Sequence, residues 1–433
     1  VYIDSEQDLL EALQRISSKS VFIIPLIANT TLHPVKAEIL SLYIRDGNDE
    51  YVFPYKHMES LYSDYTLDQI LSGSSGYIYN RSIFYYRNVD VSSFYDLELA
   101  HYLETQSSLA DMLIDRERFY MRLYNKYVKP NNLVSLTEFI EYARSIVSVF
   151  KPSIAGLDFY TNMQELFYKI ESSGVAVDFN LFIAHYGSTN SLVGDKAYTK
   201  YNFYTSTGRP SNRFGGINFA ALNKQDDTRK CFISRFPEGK LIEMDFKAYH
   251  PHIIAHLCDY DFGNENVYEH LAKHYFHTQK PTNDQITKAK EYTFNQIYGG
   301  INKKYLHIEF FAKTKAYTDL LWEQFREKGY VTSTLSGREL FSDYDSSTDT
   351  QLFNYFIQMT ETELNAVFLS KLFAKLDFDK TLPVLYTYDS VVFDCKKDYI
   401  KELVDKIFDV TTPKFPIVVK IGDNYKEMEY INI

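Results

Sequence analysis

The chain has 433 residues, 45% hydrophobic and 24% charged, which excludes a disordered polymer and predicts two or three domains rather than one core. Its formal charge of −11 excludes a protein that coats a polyanion with its whole surface, so a nucleic-acid ligand would need locally gathered Lys and Arg. Three cysteines, Cys231, Cys258 and Cys395, without ligand-like spacing argue against a disulfide framework or a zinc site.

In chain order, the acidic start VYIDSEQDLL lacks a signal-peptide pattern, and the run SVFIIPLIA is too short to span a bilayer. With cysteines that fit a reducing compartment, the expectation is a cytoplasmic protein, in host cytoplasm if viral, with no membrane partner. Residues 1–100 read as a mixed α/β unit: helix EQDLLEALQRI, strand SVFIIPLI, then strands AEILSLYI and EYVFPY joined by the turn RDGND. Residues 105–150 read as helical, and LADMLIDRERFYMRLYNKYV carries Arg116, Arg118, Arg122 and Lys126. Helix TNMQELFYKIES follows and ends at Ser173-Gly174, where a glycine suits a helix C-terminus. After a loop-rich stretch, 183–230, come strand KLIEMDF, helix HPHIIAHLC, helices across 265–330 and the hairpin YVTSTLSGRELF. A long helix at 348–374, a hairpin in LPVLYTYDSVVFD and a last β segment, FPIVVKI, complete the chain.

Two carboxylates stand out. Asp389 sits in the tight turn between two β-rich runs, Val384–Thr387 and Val391–Phe393. A lone turn aspartate commonly caps its own backbone. Here a second acid, Asp245, ends a buried-looking strand in GKLIEMDFKAYHPH. Aspartates at the ends of adjacent strands can share divalent cations, and Mg²⁺ takes a few carboxylates plus substrate phosphates. Between them lies ITKAKEYTFNQIYGG, in which Lys290, Phe294 and Tyr298 recur every fourth residue and so share a helix face. A cation followed by two aromatics suits a nucleotide; an amphipathic helix with a snorkelling lysine has the same pattern.

The order Asp strand, Lys-x₃-Phe-x₃-Tyr-Gly helix, Asp hairpin resembles the three polymerase motifs of family A DNA polymerases, the bacterial DNA polymerase I type. TSTGRPSNRFGGINFAALN resembles the family's Thr-Gly-Arg-Leu-Ser segment and the Asn-rich loop after it, which holds Asn218. GYVTSTLSGREL resembles its Gly-Tyr-Val…Gly-Arg hairpin, NYFIQMTETE its Asn-x₃-Gln spacing, and FPIVVKIGDNYKEM its last strand. IESSGVAVDF resembles its Ile-Glu-x-x-Gly-Val junction, so the likeness spans about 165–433 in order.

The resemblance implies an α+β, right-hand polymerase fold. It implies a polymerase domain at 151–433, with palm at 205–260 and 335–433, fingers at 261–334 and a residual thumb at 179–204. It implies an RNase H-like, 3′–5′ exonuclease-type α/β domain at 1–150, with Pro25 and Ile27 where the family has Asp-x-Glu, and hence no proofreading. Asp245 and Asp389, with the Phe246 carbonyl, would hold two Mg²⁺, for which Mn²⁺ could substitute. Lys290 would bind the incoming phosphates and protonate the leaving pyrophosphate, Phe294 would pack on the sugar, and Tyr298 would lie beside the nascent pair. Arg209, Asn218, Asn354 and Gln358 would contact primer–template DNA, where minor-groove acceptors test pair shape rather than sequence. The implied partners are primer–template DNA, dNTPs and a processivity or replisome partner.

Several positions depart from the family. His-Asp-Glu is Tyr388-Asp389-Ser390; the glutamate that excludes a ribose 2′-OH is His250; an arginine of the nucleotide helix is Ile286, with Lys288 as substitute. The thumb is reduced to about thirty residues, which predicts weak, salt-sensitive DNA binding. With no helicase or 5′-nuclease segment, the expectation is a small phage-like replication enzyme. Two rivals stay open: an RNA or mixed-sugar polymerase, on Ser390 and His250, and an inactive polymerase fold that binds nucleic acid or a replication partner.

Overall fold

The near-continuous apolar run SVFIIPLIA forms a strand covered on both faces, as such a run should. The computed structural model describes residues 1–17, 19–28, 33–109, 134–263, 265–341 and 346–431; the basic helix expected around 116–129 lies outside them. Contacts divide the chain into two compact units, Val1–Tyr204 with Asn212–Ile233, and Thr205–Ser211 with Ser234–Ile433.

In the first unit, helix α1 (Glu6–Ile16) precedes strands β1 (Ser20–Ala28), β2 (Glu38–Asp46) and β3 (Asp49–Phe53). Strands β4 (Ser75–Ile78) and β5 (Phe94–Asp96) complete a sheet of order β3-β2-β1-β4-β5. The first three strands are antiparallel neighbours, while β4 and β5 run parallel to β1. Ile23 and Ile27 pack with Leu9, Ala12 and Ile16 of α1; Ile24, Leu26 and Ala28 pack with Phe139, Ala143 and Ile146 of helix α2 (Leu136–Val149). Pro25 is tolerated inside β1 for a geometric reason. The Ile23 carbonyl accepts from Tyr79 on the β4 side, and Pro25, two residues on, faces the same side beyond the last β4 pair. Sequence patterning missed β4 and β5, which are only 4 and 3 residues long. Helix α3 (Leu157–Ser173) ends at Gly174, φ +58°, where a Cβ would meet the Tyr198 ring at 2.9 Å.

The second unit is built on an antiparallel sheet with the Asp245 strand, β6 (Lys240–Phe246), at its centre. On one side lie β8 (Ser390–Cys395) and then β7 (Thr381–Tyr386); on the other, β9 (Ile417–Gly422) and then β10 (Met428–Tyr430). The last of these strands follows the β segment that sequence reading took as final, and Glu429 pairs it to Ile421. Helix α4 (Tyr249–Leu257) follows β6, and α5 (Val267–Tyr275), α6 (Asn283–Gly299) and α7 (Glu309–Lys328) come next. A two-stranded hairpin, Tyr330–Thr332 with Glu339–Phe341, leads to the 25-residue helix α8 (Asp349–Phe373). No helix among the described residues is long and apolar enough to cross a membrane.

Candidate active site

The two aspartates come together because their strands are neighbours. Asp245 pairs with Ser390 of β8 on one side and with Val418 of β9 on the other. Asp389 immediately precedes β8, and its carbonyl accepts the Phe246 N–H at 2.9 Å. The turn before it is tight: the Thr387 N–H donates to the Ser390 carbonyl at 2.8 Å, and Tyr388 is left-handed at φ +64°. Such a backbone costs a non-glycine residue about 1–2 kcal/mol. Asn365 of α8 offsets that strain. Its Nδ2 donates to the Tyr388 carbonyl at 2.7 Å and the Tyr386 hydroxyl at 2.8 Å, and its Oδ1 accepts from the Tyr249 hydroxyl at 3.0 Å.

Burial pushes the Asp389 carboxyl up to about 6, the charge of Asp245 adds to the shift, and Arg209 opposes it. Asp245 meets a cation of its own: Lys420 Nζ lies 3.3 Å from Asp245 Oδ2 and 2.7 Å from Glu243 Oε2. A carboxylate pair that resists double ionisation is relieved by a divalent ion, and an all-oxygen donor set fits a hard one. Among the described residues, no group of three or more His, Cys, Asp or Glu is gathered as a closed metal cage. Asp245 and Asp389 are two oxygen donors, a set that would suit a hard divalent ion only with water or substrate oxygens added.

Helix α6 starts with a capping box, Thr282 with Gln285, written in the sequence as PTNDQ. Its inner face is Ala289, Thr293 and Ile297, all buried. Lys290, Phe294 and Tyr298 each follow one of these by a single residue, about 100° around the helix, and so form the adjoining outer stripe. Phe294 and Tyr298 stack, centroids 5.7 Å apart and planes 10° apart, while Lys290 Nζ lies 5.9 Å from the Phe294 ring. The Tyr298 ring is half-exposed, but its hydroxyl turns inward to hydrogen-bond His250 Nδ1, and burial raises its pKa. Lys288 belongs to another part of the helix surface and pairs with Asp284 at 2.7 Å.

Helix α8 runs alongside with Asn354, Gln358, Glu361 and Asn365 at spacings of four, three and four, one face of a helix. Asn354 Nδ2 donates to the Tyr298 carbonyl at 3.1 Å, and the Thr207 hydroxyl donates to Gln358 at 3.4 Å. Glu361 pairs with Arg209 at 2.8 Å and lies 3.2 Å from His250 Nε2. The Arg209 guanidinium lies 3.8 Å from the centroid of the Tyr388 ring. Fully buried Arg338 donates to the Thr207 carbonyl at 3.2 Å and so fastens the segment that carries Arg209.

Contacts therefore connect Tyr298, His250, Glu361, Arg209 and Tyr388 in sequence, ending beside Asp389. Asn218 belongs to the other compact unit, exposed and paired with Arg213 in a short hairpin. Sequence reading missed Glu361, Asn365 and Lys420. The spacing that follows Asn354 and Gln358 on the helix points to the first two. Lys420 becomes visible only with the register that sets it opposite Glu243.

No family model and no curated protein matches the sequence. A solved structure does match: the POL domain of Pol1 from M. smegmatis in complex with DNA primer-template and dNTP, with a TM-score of 0.75 and 14% identity. The match covers 98% of this chain and 99% of that one. At that identity the likeness concerns the fold alone: this chain shares the mixed α/β fold of that POL domain.

Proposed function

We propose that the chain is a template-directed DNA polymerase that extends a primer 3′-OH with dNTPs and lacks proofreading. The observation that carries this reading is the Asp245–Asp389 pair on adjacent strands, joined by contacts to the Lys290–Phe294–Tyr298 stripe. In the reaction, the primer 3′ oxygen attacks the α-phosphorus of the dNTP as its proton passes to water. The bond from that phosphorus to the bridging oxygen breaks, and pyrophosphate departs. Lys290 binds the phosphates and supplies a proton to the leaving group. Phe294 packs on the sugar, Tyr298 lies beside the new pair, and His250 limits room at the 2′ position. Arg209, Asn354 and Gln358 contact the primer–template minor groove, with Asn218 and Lys288 as further contacts to DNA and nucleotide.

Asp245 and Asp389, with the Phe246 carbonyl, would hold two Mg²⁺, which would activate the attacking oxygen and stabilise the leaving one; Mn²⁺ could substitute. We read 205–260 and 335–433 as palm, 261–334 as fingers, and 179–204 as a reduced thumb. The latter has one helix, Phe179–Tyr186, which supports salt-sensitive DNA binding and a need for a processivity or replisome partner. The β3-β2-β1-β4-β5 sheet supports an RNase H-like N-terminal domain. Ile27, at an expected carboxylate position, is 3% exposed within an apolar core, which supports a scaffold without exonuclease chemistry.

The test is primer extension with Mg²⁺, dNTPs and rNTPs supplied separately, for the wild type and Asp389→Asn. Extension with dNTPs that falls at least about a hundred-fold in the variant supports the reading. Equal use of rNTPs would replace it by a mixed-sugar polymerase. No wild-type extension at low salt and excess enzyme would leave an inactive, nucleic-acid-binding fold.

A further inference from the structure

We propose that Lys420 is a built-in counter-cation that competes with divalent metal for Asp245, so that the protein without nucleotide holds metal weakly. This inference rests on the reading of Asp245 and Asp389 as metal ligands. Lys420 lies on β9 directly opposite Glu243 of β6. Glu243 and Asp245, two residues apart on one strand, point to the same face. The Lys420 ammonium reaches both carboxylates, at 2.7 Å and 3.3 Å, and its side chain is only 18% exposed. The ring of Tyr430 flanks it at 5.6 Å, and the Tyr425 hydroxyl donates to the other oxygen of Glu243 at 3.5 Å. The amine is thus fixed in place rather than swinging in solvent.

A cation at that position acts twice against a metal ion. It neutralises part of the charge that would attract the ion, and it repels the ion directly. Glu243 offsets part of that charge but also holds the ammonium 3.3 Å from Asp245. A nucleotide brings further phosphate oxygens to the ion, and these tip the competition towards metal. Weak binding without nucleotide thereby makes metal occupancy lean more on nucleotide than the two carboxylates alone would require.

The test is Mn²⁺ binding to the full chain without nucleotide, followed by the electron paramagnetic resonance signal of free Mn²⁺. Lys420→Met is expected to bind about ten-fold more tightly than the wild type, the size of effect a part-buried unit charge exerts. Lys420→Arg should stay near the wild type. Glu243→Gln should bind several-fold more weakly, since Lys420 then turns wholly to Asp245 and one negative charge is lost. Circular dichroism checks the fold of each, and Lys420→Gln replaces the methionine variant if that one unfolds. Unchanged or weaker binding in the charge-free Lys420 variants overturns the proposal. Asp245→Asn separates the two levels: binding that survives it sinks the metal reading itself. Binding that it abolishes, with Lys420→Met inert, sinks only the role of Lys420.

Discussion

Arg209 and Glu361 form a buried ion pair, Nε to Oε2 at 2.8 Å, with the carboxylate side chain 2% exposed and the guanidinium side chain 27% exposed. The same carboxylate lies 3.2 Å from His250, so one buried anion serves two basic side chains. Its removal takes the buried anion from Arg209, in a medium that penalises unpaired charge, and leaves His250 held by the Tyr298 hydroxyl. Glu361→Ala is therefore expected to destabilise the second unit by about 3 kcal/mol, the lower end of the range for breaking a buried pair because Arg209 can reach water. The single tryptophan, Trp322, lies in α7 of that unit and reports its urea unfolding by fluorescence. A midpoint unchanged within error would mean that the Glu361 contacts contribute nothing to stability.

His250 is expected to set the choice of sugar. Its side chain is 10% exposed and is held from two sides, by Glu361 and by the Tyr298 hydroxyl. A fixed ring excludes an extra hydroxyl better than a mobile one, because displacing it breaks both contacts. His250→Ala should raise the rNTP-to-dNTP ratio of kcat/KM by at least about ten-fold, a difference of ~1.4 kcal/mol in transition-state binding. Single-nucleotide insertion measures it. A ratio that does not move would place sugar choice elsewhere.

Much of this site was legible in the sequence because its parts are local. A strand that carries Asp245 near its end, a helix with Lys290, Phe294 and Tyr298 at every fourth position, and an aspartate between two β-rich runs all follow from short-range periodicity. The missing parts depend on which strands and helices lie beside each other. Lys420 meets Asp245 only through the β6–β9 register, some 175 residues apart in the chain. Glu361 shares a helix face with Asn354 and Gln358, but its role shows only where Arg209 and His250 converge on it. Among the sheet strands, β4 and β5 escaped because 4 and 3 residues hold too few alternations to register a period. Pro25 lacks the N–H that a central strand needs, and the early end of the β4 pairing accommodates it.

Glu171 makes the stability of the first unit depend on pH. It is 1% exposed and accepts from the Tyr201 N–H at 2.6 Å and from the Tyr86 hydroxyl. Burial pushes its carboxyl up from the ordinary 4.5 to about 7. The folded form therefore keeps a proton that the unfolded chain gives up. Stability from this group is complete below about 4.5 and is lost as pH rises through about 7. Asp96, pushed up to about 6 by burial, has the same sign. Glu171→Gln removes the charging step, so at pH 8 the variant should be the more stable by ~1–3 kcal/mol and at pH 4.5 nearly equal. Calorimetry at both values decides, and a wild type favoured at pH 8 would contradict a Glu171 carboxyl raised by burial.

Asn365 is expected to position Asp389 without touching substrate. Its side chain, 2% exposed, has its three contacts with the hydroxyls of Tyr249 and Tyr386 and the carbonyl of Tyr388. Tyr388 is the left-handed residue of the turn, so the bond to its carbonyl helps fix where the next residue, Asp389, stands. In Asn365→Ala two buried tyrosine hydroxyls lose a partner, at about 1–3 kcal/mol for each group left unsatisfied. The turn also loses its anchor, and a displacement of about 1 Å at a reacting centre costs on the order of a hundred-fold in rate. Asn365→Asp separates the two effects. Its carboxylate keeps the acceptor for the Tyr249 hydroxyl and accepts from the Tyr386 hydroxyl in place of donating to it, but it loses the donor to the Tyr388 carbonyl. That variant should keep most of the urea stability while kcat for dNTP insertion falls towards the alanine value, with KM changing less. Full kcat in Asn365→Asp would show that the strands alone hold Asp389 in place.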